Sequence, residues 1–219
     1  MERKRIYISH GFRLCTHLCG SICVHFEDIK DAEYEGISNR PDAAILSYPV
    51  ITSGEFAHRD SFCALFGENP PAEKLEYMSL EKQVNDTTPP CFLWQTVTDN
   101  TVPVENSYLM AEALRRQGIS SAHHVFSSGK HGLSLANEAW ANGEYGETDT
   151  MEQINRTVQC IKEGKLPLPE EVRQQILDAF DYDEEKGKEA LKQNIPNKEA
   201  AIWPVLADEW LKGIFAIRK

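Results

Sequence analysis

Two runs along the chain are apolar at almost every position: Asp42-Ala-Ala-Ile-Leu-Ser-Tyr48, closed by Pro49, and Cys91-Phe-Leu-Trp-Gln-Thr-Val97, entered from Pro89-Pro90. Unbroken runs of this length suit strands buried on both faces of a parallel sheet. Between and after them the period changes. Pro70-Pro71 opens a helical pattern reaching Val84, with proline tolerated in the first turn. Val104 to Gln117 carries a stripe of Tyr108, Leu109, Ala113 and Leu114, and Gly118 stands where a helix C-terminal cap belongs. Ala122 to Phe126 predicts the next strand, so the middle of the chain reads β-α-β-α-β, a parallel sheet with helical crossovers. Upstream, Arg5 to Ser9 predicts a strand, Gly11 to Phe26 a helix with Leu14, Leu18 and Ile22 on one face, and Glu27 to Arg40 a polar loop. Downstream, Met151 to Glu163, Pro169 to Phe180 and Asp183 to Gln193 predict acidic amphipathic helices. Trp203 to Phe215 predicts a closing helix that packs through Leu206, Trp210, Leu211 and Ile214.

Composition narrows the setting. The 219 residues are 41% hydrophobic and 26% charged, enough for a sizeable core. A net charge of -11, from 34 acidic against 23 basic side chains, argues against nucleic acid and against an anionic membrane surface as partners, since both demand Lys and Arg. No apolar stretch of about 18 residues is present to span a membrane. The basic start is followed by His10, Arg13, His17 and His25, a poor signal-peptide core, so the expectation is a cytoplasmic protein. Six cysteines in 219 residues are too sparse for a secreted disulfide scaffold.

Two segments carry candidate chemistry. Thr96-Val-Thr-Asp99-Asn-Thr-Val102-Pro103 places an acid just past a buried strand and ahead of a helix. Ser128-Gly129-Lys130-His131-Gly132-Leu133 follows the next strand, with glycines that allow a tight loop presenting an imidazole. Ligands of open parallel sheets bind beyond the carboxyl ends of the strands. One crossover separates Asp99 from His131, so both loops should emerge at the same sheet edge, where an acid can orient a general base. Either residue alone is ordinarily structural, the aspartate as a turn or cap residue. Their joint placement is what points to function.

Other candidates weigh less. Ser9-His10 lacks the surroundings of an activated nucleophile. Cys15, Cys19 and Cys23 share a helical face with His17 and His25 nearby, but their spacing matches no zinc or iron–sulfur pattern and buried thiols commonly act as small hydrophobes. His123-His124 alternate across a strand, so only one can face the core side. The charges between Glu144 and Glu199 mark exposed helix faces.

The stretch Arg40 to Trp140 resembles the C-terminal half of the esterase/acetyl-xylan-esterase-like α/β-hydrolases, relatives of the prolyl-oligopeptidase-type hydrolases. The residues that carry the likeness are Arg40-Pro-Asp-Ala-Ala-Ile-Leu-Ser-Tyr-Pro-Val50, Pro90-Cys-Phe-Leu-Trp94, Asp99-Asn-Thr-Val-Pro-Val-Glu-Asn106 and Gly129-Lys-His-Gly-Leu-Ser-Leu135. Trp203 to Phe215 resembles the closing helix. The resemblance implies an α/β class, a partial α/β-hydrolase fold with a helical C-terminal segment. In domains, it implies 1–142 as the C-terminal half of a hydrolase domain, 143–200 as an acidic helical excursion and 201–219 as the closing helix. It further implies ester hydrolysis through a Ser-Asp-His triad, on a small ester or acetylated carbohydrate, with Asp99 and His131 as two members and no metal or organic cofactor.

The third member breaks the pattern. Such families carry serine on a Gly-x-Ser-x-Gly elbow, commonly Gly-Phe-Ser-Ala-Gly-Gly-His-Leu, where this chain reads Gly11-Phe-Arg-Leu-Cys-Thr-His-Leu18. Arg13 stands at the nucleophile position and has no hydroxyl to take an acyl group. An altered patch between matching flanks suggests a local frame slip in the coding sequence. The family's earlier strands and oxyanion loop have no counterpart here, which predicts an unpaired sheet edge and a chain less stable than a complete hydrolase. The expectation is an inactive or nearly inactive relative of serine esterases. A non-catalytic binding or scaffolding protein built on the same fold is the alternative.

Overall fold

The computed structural model describes residues 7–12, 14–28, 36, 38–144, 149–180 and 194–216. The chain forms two compact units, one of residues 1–135 with 197–219 and one of residues 136–196. No described helix is long and apolar enough to cross a membrane.

Among the described residues the first unit is built on four strands, β1 (Ile8–Phe12), β2 (Ala43–Ser47), β3 (Cys91–Thr96) and β4 (Ser121–Phe126), in spatial order β1-β2-β3-β4. All neighbours are parallel, with Ala44 beside Cys91 and Leu93 beside His123. Every residue of β2 and β3 is buried, as the unbroken apolar runs predict for central strands. Edge strand β4 is only half-buried.

Alternation along β3 divides the core. Cys91 and Leu93 face one side, together with Ala44 and Leu46 of β2, against helix α1 (Leu14–His25) and helix α4 (Glu105–Arg116) through Cys19, Cys23, Met110 and Leu114. Phe92 and Trp94 face the other side. There helix α8 (Trp203–Ala216) lays Trp203 flat on Trp94, centroids 5.3 Å apart, and Trp210 against Phe92 at 5.8 Å. Trp94 is fully buried, and its indole N–H donates to Ser47 Oγ at 2.8 Å, which removes the cost of burying that donor.

Between β2 and β3 lie α2 (Arg59–Phe66), α3 (Ala72–Tyr77) and a short 3₁₀ turn, Leu80–Lys82. The second unit holds α5 (Glu138–Ala141), α6 (Asp149–Lys162) and α7 (Glu170–Phe180), with Val158 and Ile161 of α6 buried.

Several expectations shift. The first strand lies at Ile8–Phe12, three residues later than the β-prone run, and α1 starts at Leu14 because Gly11 and Phe12 pair with β2. Leu18 is 62% exposed, while Thr16, Cys19, Gly20 and Cys23 face inward. Small side chains let a helix approach a sheet closely, so the buried face of α1 is not its leucine stripe. In α4 the buried set is Asn106, Ser107, Met110 and Leu114, whereas Tyr108 and Leu109 are exposed. The pattern from Pro70 to Val84 is two short pieces instead of one helix, and α2 was not predicted. Residues 183–193, read as a helix, and most of 27–40, read as a loop, lie outside the described residues. At the end of α4 the expected cap forms: Gly118 has φ 68°, its amide donates to Arg115 O at 3.1 Å, and Ile119 N reaches Leu114 O at 3.0 Å.

Candidate active site

Asp99 follows β3 by three residues and is held by its own loop. Its Oδ1 accepts the amides of Thr101 at 3.0 Å and Val102 at 2.9 Å. A buried carboxylate needs such partners, and these two donors leave Oδ2 for a third. That third is His131 Nδ1, at 2.8 Å. The side chains are 1% exposed for Asp99 and 8% for His131. A carboxylate oxygen accepts, so Nδ1 carries the proton and Nε2 is the nitrogen left for proton transfer. The donors to Asp99 lie in the loop ahead of α4, so this loop, not the helix's first turn, fixes the carboxylate.

The histidine loop is built around Gly129, whose φ is 150°. A Cβ there would lie 2.7 Å from Leu133 Cδ1 and 2.9 Å from Thr96 Cγ2. Its carbonyl accepts the hydroxyls of Thr96 at 2.8 Å and Thr98 at 3.1 Å, and its amide donates to Thr98 Oγ1 at 2.8 Å. Thus the segment leading to Asp99 also grips the segment leading to His131, and only glycine permits that approach.

Tyr48 walls the imidazole on one side. Its ring meets His131 edge-on at 5.0 Å and Trp94 at 5.0 Å, and its hydroxyl accepts the Ser134 amide at 3.3 Å. Tyr48 has φ 39°, a costly conformation for a bulky residue. In sequence it is simply the end of an apolar run. His131 also borders a cavity of about 330 Å³ lined by Val50, Ala64, Val102, His58 and Ser61. His58 Nδ1 and Ser61 Oγ are hydrogen-bonded at 2.8 Å. These wall residues went unnoticed with α2, whose pattern is short and irregular.

The remaining candidates are placed as follows. Arg13 lies outside the described residues, between the end of β1 at Phe12 and the start of α1 at Leu14. Ser9 and His10 are in β1, with side chains outside the described set, as is that of Cys15. Cys19 and Cys23 are buried in the core, and Cys23 Sγ donates to Cys19 O at 3.1 Å. The hydrogen bond to Cys91, together with burial, pushes the Cys23 thiol well above its usual value, unlike a metal-ready thiolate. Among the described residues no group of three or more His, Cys, Asp or Glu is arranged to hold a metal. His123 meets Ser107 Oγ at 3.0 Å and His124 packs on Phe92, and burial lowers both pKa values.

His17, one residue before Leu18, has Nδ1 2.9 Å from the Val50 carbonyl oxygen. Burial lowers its pKa below the ordinary value of 6.5, the Val50 bond opposes that shift, and nearby His25 adds to it.

Comparison with known proteins follows the same lines. Residues 39–145 match the prolyl oligopeptidase family. The chain is 56% identical over 157 residues to endo-1,4-beta-xylanase B of Butyrivibrio fibrisolvens, covering 69% of this chain and 25% of that protein. It resembles the structure of an acetyl ester-xyloside bifunctional hydrolase from Caldicellulosiruptor lactoaceticus, with 44% identity and a TM-score of 0.55, over 58% of this chain and 48% of that one. A carboxylesterase from Lactobacillus plantarum shares the fold over 94% of this chain and 58% of its own, with a TM-score of 0.58 at 23% identity. The chain therefore spans about a quarter of the curated relative and about half of these solved structures.

Proposed function

We propose, from the premise that this chain is an esterase-like α/β-hydrolase, that Asp99 and His131 are the acid–base half of a serine-esterase triad, and that Arg13 at the nucleophile position leaves the chain inactive. The observation that carries this reading is the buried 2.8 Å contact between Asp99 Oδ2 and His131 Nδ1. Asp99 fixes the tautomer and stabilises the imidazolium. His131 Nε2 accepts the nucleophile's proton as its oxygen attacks the acyl carbon, then returns that proton to the leaving alkoxide. Water repeats the sequence on the acyl-enzyme. Arginine cannot begin it.

The substrate under this reading is a small ester or an acetylated carbohydrate. The names of the xylan-related relatives support that class.

A fluorophosphonate probe tests the proposal. The chain as given should not be labelled. A variant with Arg13→Ser, Leu14→Ala, Cys15→Gly and Thr16→Gly should be labelled, and the label should vanish with His131→Ala. Labelling of the unaltered chain that depends on His131 would overturn the inactivity. Labelling of the restored variant that persists undiminished with His131→Ala or Asp99→Ala would overturn the assignment of the pair.

A further inference from the structure

The loop that presents His131 cannot hold its shape alone. Gly129, Gly132 and Ser134 have φ of 150°, 81° and 50°, and a left-handed serine is costly. Besides Thr96, Thr98 and Tyr48, a stretch about 70 positions further along the chain supports it. The Glu199 carboxylate accepts the Ser127 amide at 3.1 Å and 3.2 Å as well as the Ser127 hydroxyl. Asn197 Nδ2 donates to the Ser128 carbonyl at 2.5 Å. Its Oδ1 accepts the Ala200 amide at 3.0 Å, which fixes the orientation of the side-chain amide. Past the histidine, the Trp203 indole donates to the Ser134 carbonyl at 2.8 Å.

These anchors bracket His131, two before it and one after. They also share a reference with its partner. Trp203 is 5% exposed and stacks on Trp94 of β3, the strand that runs into the Asp99 loop. The acid is thus registered to β3 directly, and the imidazole loop to the same strand at Gly129 before the histidine and through Trp203 after it. A proton-relaying pair tolerates only about 0.5 Å of misplacement, so a common frame has chemical value.

We propose that Asn197, Glu199 and Trp203 form a clasp that sets the position of His131 relative to Asp99. They are positioning residues, and the proposal rests on reading His131 as the general base. The clasp acts on the loop backbone at Ser127, Ser128 and Ser134, and none of its members needs to touch substrate.

The test is proton NMR on the whole chain, following the far-downfield Nδ1–H of His131 bonded to Asp99, assigned by its loss in Asp99→Ala. Trp203→Phe keeps a ring on Trp94 but removes the donor. Asn197→Asp keeps the shape but cannot donate to Ser128. Glu199→Ala removes the acceptor, and Glu199→Gln restores one. The expected result is loss of the downfield signal in the first three variants and its return in Glu199→Gln, with cooperative melting retained throughout. A signal present in the unaltered chain and unchanged in all three would overturn the clasp while leaving the Asp99–His131 pair intact. Loss of the signal only alongside loss of cooperative melting would also overturn it, as general destabilisation. Absence of the signal from the unaltered chain would refute the pair itself, and the clasp with it.

Discussion

Gly129 is the point where the two site loops meet, and replacing it with alanine measures how tightly they are joined. Two penalties apply. At φ 150° an L-residue sits in a region nearly reserved for glycine, at about 1–3 kcal/mol. The new Cβ would also lie 2.7 Å from Leu133 Cδ1, 2.9 Å from Thr96 Cγ2 and 3.1 Å from Asn197 Nδ2. Such overpacking typically costs about 1–3 kcal/mol. Gly118→Ala is the internal control, because Gly118 has φ 68° and nothing within 4 Å of its would-be Cβ. It bears the backbone strain alone, about 1–2 kcal/mol, less a few tenths regained through the stiffer unfolded chain. The gap between the two variants therefore reports the overlap together with any extra backbone strain at φ 150°. Urea unfolding followed by tryptophan fluorescence should place Gly118→Ala about 1 kcal/mol below the parent and Gly129→Ala about 3 kcal/mol below it, at an unchanged slope. A Gly129→Ala midpoint equal to or above that of Gly118→Ala would refute the claim that close packing joins the loops.

Two further outcomes follow from buried polar groups. Asn106 is fully buried: its Oδ1 accepts Ile51 N at 2.9 Å and Thr52 N at 3.1 Å, and its Nδ2 donates to Phe56 O at 2.8 Å and Pro103 O at 3.0 Å. Asn106→Ala orphans two amides and the Phe56 carbonyl, while Pro103 O keeps the backbone amide of residue 106, and at about 1–3 kcal/mol for each group left unpaired, partly relieved by relaxation, urea melts should record a loss of about 3–5 kcal/mol; a loss below about 1 kcal/mol would contradict this account. His17 is half-buried with a pKa depressed below 6.5, so on acidification the unfolded chain takes up that proton before the folded one. Its contribution to stability is complete above pH 6.5 and erodes as pH falls below that value toward the folded pKa. Stability measured from pH 8 to pH 5 should decline more steeply in the parent than in His17→Gln, and matching slopes would exclude the assignment.

Local pattern was enough for the features that local chemistry decides. The runs Ala43–Ser47 and Cys91–Thr96 have no polar face, so only a sheet covered on both sides can hold them, and that sheet forms. The order of acid and histidine across one crossover foreshadowed the contact between Asp99 and His131, because parallel neighbours deliver their carboxyl-end loops to one rim. Gly118 announced the end of α4, since a glycine just past the apolar stripe readily takes the left-handed backbone of a cap.

What escaped the sequence depends on partners distant along the chain. Leu18 looks like core and is exposed, while Cys19 and Cys23 are buried, because packing against the sheet selects for close approach over hydrophobicity. Asn106 looks like a surface residue of an amphipathic helix; its burial is tolerable only because groups at positions 51, 52, 56 and 103 converge on it. Tyr48 closes over His131 from 83 positions earlier, and Trp203 reaches Ser134 across 69. Residue type bounds which bonds a side chain can make. Which bonds it does make is settled when the collapse of the whole sheet brings those distant groups within reach, and no window of neighbouring residues contains that information.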